Sequence, residues 1–391
     1  MRATGSMHLG HYHGALKNWV RLQDEAQCFF FVADWHGLTT HYETPEVIGA
    51  SVWDMLVDWF AAGLDPAKST VFLQSRIPAH AELFLLLAMS APLGWLERVP
   101  TYKDQIEKLK DRDLATYGFL GYPLLQAADI LIYRATGVPV GEDQASHIEM
   151  SREIARRFNH LYGHEPGSEE KAGLAVKKLA GRDAKHFGEL RTKYQQDGDA
   201  DALAEGRAML ARAGSLSQED RERLSAWLAG TRRTILVEPQ AVHTSTPKVP
   251  GLDGAKMSKS YGNAILMREE PKALTEKVRR MPTDPARVRR SDPGEPARCT
   301  VWQFHQMYSD EATRDWAAKG CRSAGIGCLE CKQPVIDAML REQAPWRERA
   351  QPFLDNPQHL RDIVADGCER ARKVADETMH DVREAMGLNY T

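Results

Sequence analysis

Cys28-Phe29-Phe30-Phe31-Val32 is five apolar residues with no polar break. A strand with one wet face alternates apolar and polar side chains, whereas an unbroken run marks a strand covered on both faces, as in a parallel sheet. Parallel neighbours require helical crossovers, and the chain supplies them. Pro45 opens a long amphipathic segment that Gly63 closes. Residues 69–74 read as a second strand, and Pro78 opens an apolar helix through Leu83, Leu86 and Leu87. Val138-Pro139-Val140 reads as a third strand, followed by a helix to about Phe158, and Ile235-Leu236-Val237 returns the chain to the sheet. Residues 33–37 read as a loop at the carboxyl end of the first strand, where open α/β sheets bind ligands. The alternation predicts an α/β fold with a doubly wound parallel sheet.

At 391 residues the chain has room for two or three domains. Its net charge of −3 excludes a global basic field, so any nucleic-acid contact must come from a local patch. No apolar run is long enough for a membrane span, and the first residues do not resemble a secretory leader, so the expected location is cytoplasmic. Residues 164–233 lack strand patterns and are rich in Ala, Arg, Lys, Glu and Asp; they predict a helical insertion, with a helix start at Ser217-Gln218-Glu219-Asp220. Beyond 268 the pattern is helical over 269–281, 333–354 and 357–387. A charged helix over 100–112 reads as a solvated face.

Four stretches carry chemistry. The first is Thr4-Gly5-Ser6-Met7-His8-Leu9-Gly10-His11, which opens a helix over 8–26. His8 and His11, three apart, share a face, and Gly10 bares backbone between them, so the turn suits phosphate. The second is 250–263, glycine-rich, with Lys256 and Lys259 among serines; it can close over phosphates, and it lacks the Walker pattern. The third is the nearly all-apolar helix from Tyr122, in which Tyr122, Gln126, Asp129 and Tyr133 form one polar stripe. A carboxylate there needs a partner from the protein or from a ligand. After the third strand, Gly141, Glu142, Asp143 and Gln144 start a helix; the acids suit either capping or ribose hydroxyls. The fourth is Cys299, Cys321, Cys328 and Cys331, four of the six cysteines, which can hold Zn²⁺ or a [4Fe–4S] cluster or remain free thiols; spacing alone does not decide.

His8-Leu9-Gly10-His11 followed far downstream by Lys256-Met257-Ser258-Lys259-Ser260 resembles the paired signatures of class I aminoacyl-tRNA synthetases. The run 126–129 and the run 138–144 are similar to the tryptophanyl-tRNA synthetase family. The resemblance covers most of the chain outside the insertion. It implies a Rossmann-like catalytic domain in two parts (1–163 and 234–268), the insertion at 164–233, and a helical anticodon-binding domain at 269–391. It implies an enzyme, a tryptophan–tRNA ligase, acting on ATP with Mg²⁺, L-tryptophan and tRNA(Trp), and a homodimer. Arg2, Ala3, Thr4, Gly10, His11, Gly141, Glu142, Asp143, Lys256, Met257, Ser258, Lys259 and Ser260 would bind ATP. His8, His11, Lys256 and Lys259 would be catalytic. Asp129 would accept the indole N–H, with His36, Tyr122, Gln126 and Gln144 lining the pocket. Lys277, Arg279, Arg280, Arg287, Arg289 and Arg290 are candidate phosphate contacts on the tRNA. A subset of the family carries a [4Fe–4S] cluster on nearly this cysteine spacing. The alternatives are a tyrosyl-tRNA synthetase, a nucleotidyltransferase sharing the class I core, and a paralogue without catalysis. Family members carry an apolar strand ahead of the first turn. So few residues precede His8 that the chain is expected to have no room for it: either the true start lies upstream of Met1, or the chain is truncated, with the turn lacking its anchor and activity impaired.

Overall fold

The structure is a computed structural model. It describes residues 1–3, 5–99, 116–141, 144–163, 167–230, 233–243 and 249–390, and the environment of every side chain among them except His243 and Ser260. Thr4, Glu142, Asp143 and the segment expected as a charged helix at 100–112 lie outside the described residues.

Strand β1, Cys28–Val32, pairs in parallel with β2, Ser69–Leu73. The alternating geometry of a strand splits the apolar run between two faces. Phe30 stacks on Trp19, with centroids 4.7 Å apart, while Phe29 stacks on Tyr133 at 4.8 Å and Phe31 lies 5.8 Å from the His80 ring. One face is therefore an aromatic core and the other leads to a polar pocket.

Helix α1 precedes β1. It is α-helical over Leu9–His11, π-helical over Tyr12–Leu16 and α-helical again over Lys17–Leu22. Between the first strands lie α2, Asp34–His41, and α3, Glu46–Ala62; Gly63 ends α3 at φ +117°. Residues 33–37, read as a loop, mostly belong to α2. Asp34 explains the difference: its Oδ1 accepts the Trp35 and Ser75 N–H groups, contacts that tie the first residue of the helix to the end of β2.

Then come α4, Ala79–Ala88, α5, Leu93–Glu97, α6, Tyr117–Leu120, and α7, Tyr122–Leu131. Strand β3, Gly137–Val140, leads to α8, Ala145–Tyr162. The parallel partner of β3 is β4, Gln240–His243, so the return strand lies beyond 235–237, where it was expected. Ile235 and Leu236 are instead buried core residues whose N–H groups bond the Asn159 side chain.

The insertion is helical: α9, Ser168–Val176, α10, Gly181–Asp197, α11, Ala200–Arg212, and α12, Gln218–Ala229. It has its own apolar core around Phe187, Leu190, Leu224 and Leu228. Ser217 caps α12 by accepting the Asp220 N–H, as its sequence implied.

The last part comprises α13, Pro271–Arg280, α14, Thr300–Tyr308, α15, Glu311–Arg322, α16, Cys328–Asp355, and α17, Pro357–Ala385. The helix expected from 333 starts earlier: α16 begins at Cys328 and runs through Pro334. Its first turns therefore carry Cys328 and Cys331. Helix α17 covers β2 closely: a Cβ at Gly367 would lie 1.9 Å from the Val71 carbonyl oxygen, so only glycine permits the approach. No helix among the described residues is long and apolar enough to cross a membrane.

Candidate active site

Residues 1–3 run beside the end of β1. The Met1 amino group donates to Phe31 O at 2.7 Å, Ala33 N–H donates to Met1 O at 2.8 Å, and Arg2 and Ala33 form a parallel bridge. The following turn pairs with 265–267: Leu9 N–H bonds Ile265 O and Met267 N–H bonds Met7 O, each at 3.0 Å. The expectation that the turn lacks an anchor is corrected, because backbone pairing holds it from two sides. Ala3 is fully buried and offers a ligand no side-chain surface.

The His8 and His11 rings stack with centroids 3.8 Å apart. The His8 ring covers Gly10, where a Cβ would lie 2.8 Å from two of its atoms. Burial, and then Lys259 and Lys256, pushes His8 down to about 4. Burial, and then His8 and the same lysines, pushes His11 down to about 3. Both imidazoles are neutral at pH 7. His8 Nδ1 is buried without a hydrogen-bond partner among the described residues.

The lysine loop is held by Asn263, which is 3% exposed. Its Oδ1 accepts Ser258 N–H at 2.7 Å, and its Nδ2 donates to Asp253 Oδ1 at 2.8 Å and Lys256 O at 3.2 Å. Met257 anchors the loop in the core, while Lys256 faces solvent. Lys259 is half-buried, and a Cβ at Gly5 would lie 2.7 Å from its Nζ. The two signature segments, about 250 residues apart in sequence, thus meet as one cation-rich site with neutral histidines.

Asp129 lies on α7 and is 3% exposed. His36 Nε2 donates to its Oδ2 at 2.7 Å; Gln74 Nε2 and His80 Nδ1 donate to its Oδ1 at 2.7 and 2.6 Å. His80 Nε2 accepts the Tyr133 hydroxyl at 2.7 Å. Burial opposes ionisation, but the charge and hydrogen bonds of His36 and His80 outweigh it and hold the Asp129 carboxyl down at about 2. The Tyr122 ring packs edge-on against His36, with centroids 4.5 Å apart, and Gln126 Oε1 accepts from His147 Nδ1 at 2.6 Å. Gln144 begins α8, its N–H bonded to Gly141 O at 3.0 Å. Gln74 and His80 carried no sequence signal; they reach Asp129 from just beyond β2. His36 Nδ1 and Gln74 Oε1 are buried without a partner among the described residues.

Elsewhere, Cys299 caps α14, Cys321 ends α15, and Cys328 and Cys331 lie in the first turns of α16. A Cβ at Gly294 would lie 2.7 Å from Cys321 Sγ, and His305 Nε2 lies 3.4 Å from Cys331 Sγ. Burial, then the sulfurs of Cys299, Cys321 and Cys328, push the Cys331 thiol up to about 12. Two of the basic residues offered as tRNA contacts serve the fold instead. Lys277 Nζ donates to Glu269 at 2.6 Å and to Ala264 O at 3.1 Å, and Arg287 is 8% exposed with its guanidinium on the carbonyls of Arg290 and Ile326. Arg279, Arg280, Arg289 and Arg290 are exposed.

The profile of the family described as tRNA synthetases class I (W and Y) matches residues 1–188 and 223–341. A tryptophan–tRNA ligase from Ralstonia nicotianae is 68% identical over 391 residues, covering 100% of this chain and 98% of the relative. One from Thermotoga maritima is 42% identical, over 100% and 98% of the two chains. Among solved structures, the tryptophanyl-tRNA synthetase from Campylobacter jejuni in complex with ADP and tryptophan superimposes with a TM-score of 0.74 at 27% identity, covering 99% of this chain and 98% of that one. With both signature segments assembled and matches of this extent, the chain belongs to the class I tRNA synthetases of the tryptophan and tyrosine type.

Proposed function

We propose that Asp129 selects the amino acid and that the histidine turn and the lysine loop bind and activate ATP. The chain is a tryptophan–tRNA ligase, and the tyrosyl and non-catalytic alternatives are not favoured. One observation carries the assignment of Asp129: a buried, ionised carboxylate whose Oδ2 accepts one hydrogen bond from the described residues, that of His36. Indole has one donor and no acceptor, so an anionic oxygen with a remaining lone pair is its fitting partner. A site built around that bond strongly rejects analogues lacking the donor. His36, Tyr122, Gln126 and Gln144 line this pocket, and the unpartnered Gln74 Oε1 can accept from the substrate's ammonium.

The tryptophan carboxylate attacks the α-phosphorus of ATP, a P–O bond forms to give tryptophanyl-adenylate, and the bond to pyrophosphate breaks. A ribose hydroxyl at the tRNA terminus then attacks the carbonyl carbon and AMP leaves. The protein contributes positioning and charge. Neutral His8 and His11 can donate N–H to phosphate oxygens without adding charge, and Lys256 and Lys259 offset the negative charge developing on pyrophosphate. Arg2, Thr4, Gly10, Gly141, Glu142, Asp143, Ser258 and Ser260 complete the ATP site, with Ala3 and Met257 contributing through their backbone, and Mg²⁺ brought in with ATP would supply further neutralisation. We assign residues 1–163 and 234–268 to catalysis, 164–233 to the insertion and 269–391 to anticodon recognition through the exposed arginines, with the cytoplasm as the place of work. Leu85, Met89 and Leu93, exposed by 54%, 68% and 58%, are the apolar surface we assign to a homodimer.

For Cys299, Cys321, Cys328 and Cys331 we propose a [4Fe–4S] cluster, with Zn²⁺ as the alternative, because their spacing resembles that of the cluster-bearing members of the family. Helices α14, α15 and α16 converge there, so the group would order the anticodon-binding part. Anaerobic purification with an absorption spectrum and iron and sulfide assays tests this; a colourless, zinc-loaded protein overturns it.

ATP–pyrophosphate exchange with each amino acid tests the main reading. Exchange with tryptophan alone is expected, and exchange with tyrosine instead overturns the role of Asp129. Lys256→Ala should slow exchange by about 100-fold while tryptophan affinity is kept; equal losses in both sink the assignment of that lysine.

A further inference from the structure

Asp58 lies within α3, is 2% exposed, and is used by none of the steps above. A carboxylate so placed costs free energy that an apolar residue would not. Its contacts come from both halves of the ATP site. Oδ2 accepts the N–H of Met7, the residue before His8, at 3.2 Å. Oδ1 accepts Nε of Arg268, just beyond the lysine loop, at 2.6 Å. Asp54, one helical turn earlier, takes Nη2 of the same guanidinium at 2.5 Å. The joint sits where the backbone of Met7 and Leu9 pairs with 265–267. Asp54 and Asp58 also act on Lys259: burial disfavours its ammonium, and the two carboxylates oppose that effect.

We propose that Asp58, through Arg268 and Met7, is a positioning residue for adenylate formation. Helix α3 is the common floor under both signature segments. Fixing one guanidinium and one backbone N–H to that floor sets the distance between the histidines and the lysine loop. Misplacement of either segment by about 1 Å costs about 100-fold in rate, and it does so in the chemical step, because the tryptophan pocket around Asp129 takes no part in the joint.

The inference rests on the ATP-site reading above, and the experiment separates the two. Exchange kinetics are measured for Asp58→Asn, Arg268→Gln, Arg268→Lys, the Asp58→Asn/Arg268→Gln pair and Lys259→Ala, with tryptophan affinity read separately by fluorescence titration. For Asp58→Asn and Arg268→Gln, kcat should fall by about 100-fold, with tryptophan affinity within twofold. The double variant should be no worse than either single one, as expected for partners in one contact. Arg268→Lys, which keeps a cation but not the fork, should recover part of the rate, and it carries the test if Asp58→Asn fails to fold. Full kcat in Asp58→Asn, or parallel losses of kcat and tryptophan affinity, overturns the positioning role. Undiminished exchange in Lys259→Ala overturns the ATP-site reading instead.

Discussion

Asp129 and Asp58 are buried alike, 3% and 2% exposed, yet their carboxyls sit at opposite ends of the acid range, at about 2 and about 6. Burial raises both. Asp129 faces two histidine N–H groups and a Gln74 amide, which together outweigh desolvation. Asp58 has Arg268 and one backbone N–H, and the neighbouring Asp54 works against it. Depth alone therefore does not set ionisation; the donors around each carboxylate do. The difference matches the proposed tasks. A residue proposed as indole acceptor has to stay anionic whether or not substrate is bound. A joint proposed to position two segments works with its charge only just held at neutral pH.

Removing one side of this comparison should have the largest effect. Asp129→Ala leaves His36, Gln74 and His80 without their acceptor, so urea unfolding should show a loss of about 3–5 kcal/mol, with exchange abolished. A loss below about 1 kcal/mol would mean the network is not the compensated one described.

The pH dependence sharpens the contrast because the two signs are opposite. Asp129 has a depressed folded pKa. Its contribution is present above the ordinary value of about 3.9 and is lost as pH falls through about 2. Asp58 has a raised one, so between about 4 and 6 the native state binds more protons than the unfolded chain. Its contribution is therefore full below about 4 and lost as pH rises through about 6. Relative to Asp58→Asn, the unaltered protein should gain about 2–3 kcal/mol of stability between pH 7 and pH 4, read from denaturation at each pH. A flat difference would show that Arg268 holds Asp58 fully ionised.

The smallest effect belongs to a contact away from both carboxylates. His13 on α1 lies 3.0 Å from the Tyr308 hydroxyl, which donates to Glu342 at 2.9 Å, and the Tyr12 and Trp346 rings pack beside them at 4.3 Å. Tyr308→Phe should cost about 1 kcal/mol and slow exchange by less than tenfold, with the pH behaviour of neither carboxylate changed. A larger loss of rate would show that the C-terminal helices also position the first turn.

The unbroken run Cys28–Val32 was legible because a strand buried on both faces can carry no polar residue, and Gly63 was legible as a stop because φ +117° suits glycine. The polar stripe on α7 was legible too, since helical periodicity brings Tyr122, Gln126 and Asp129 to one side, with Tyr133 just past the helix end. What each stripe residue bonds was not. Gln126 turns to His147 on α8, and Tyr133 reaches Asp129 only through His80. Asp34 looked like loop because the contact that holds it depends on Ser75, beyond the next strand.

By itself the sequence determined the layer architecture, the two signature segments and the cysteine set, because periodicity, glycine stops and short motifs are local properties of the chain. Only the tertiary structure decided the protonation of those groups and their alignment. His8 and His11 are neutral through burial and the approach of two lysines from about 250 residues away. Asp129 is anionic because His36, Gln74 and His80 converge on it from separate elements. Asp58 and Arg268 carry no motif, for a single aspartate in an apolar helix reads the same whether it faces solvent or joins two halves of a site. Desolvation and charge depend on which groups share a volume, and that follows from packing, not from order along the chain.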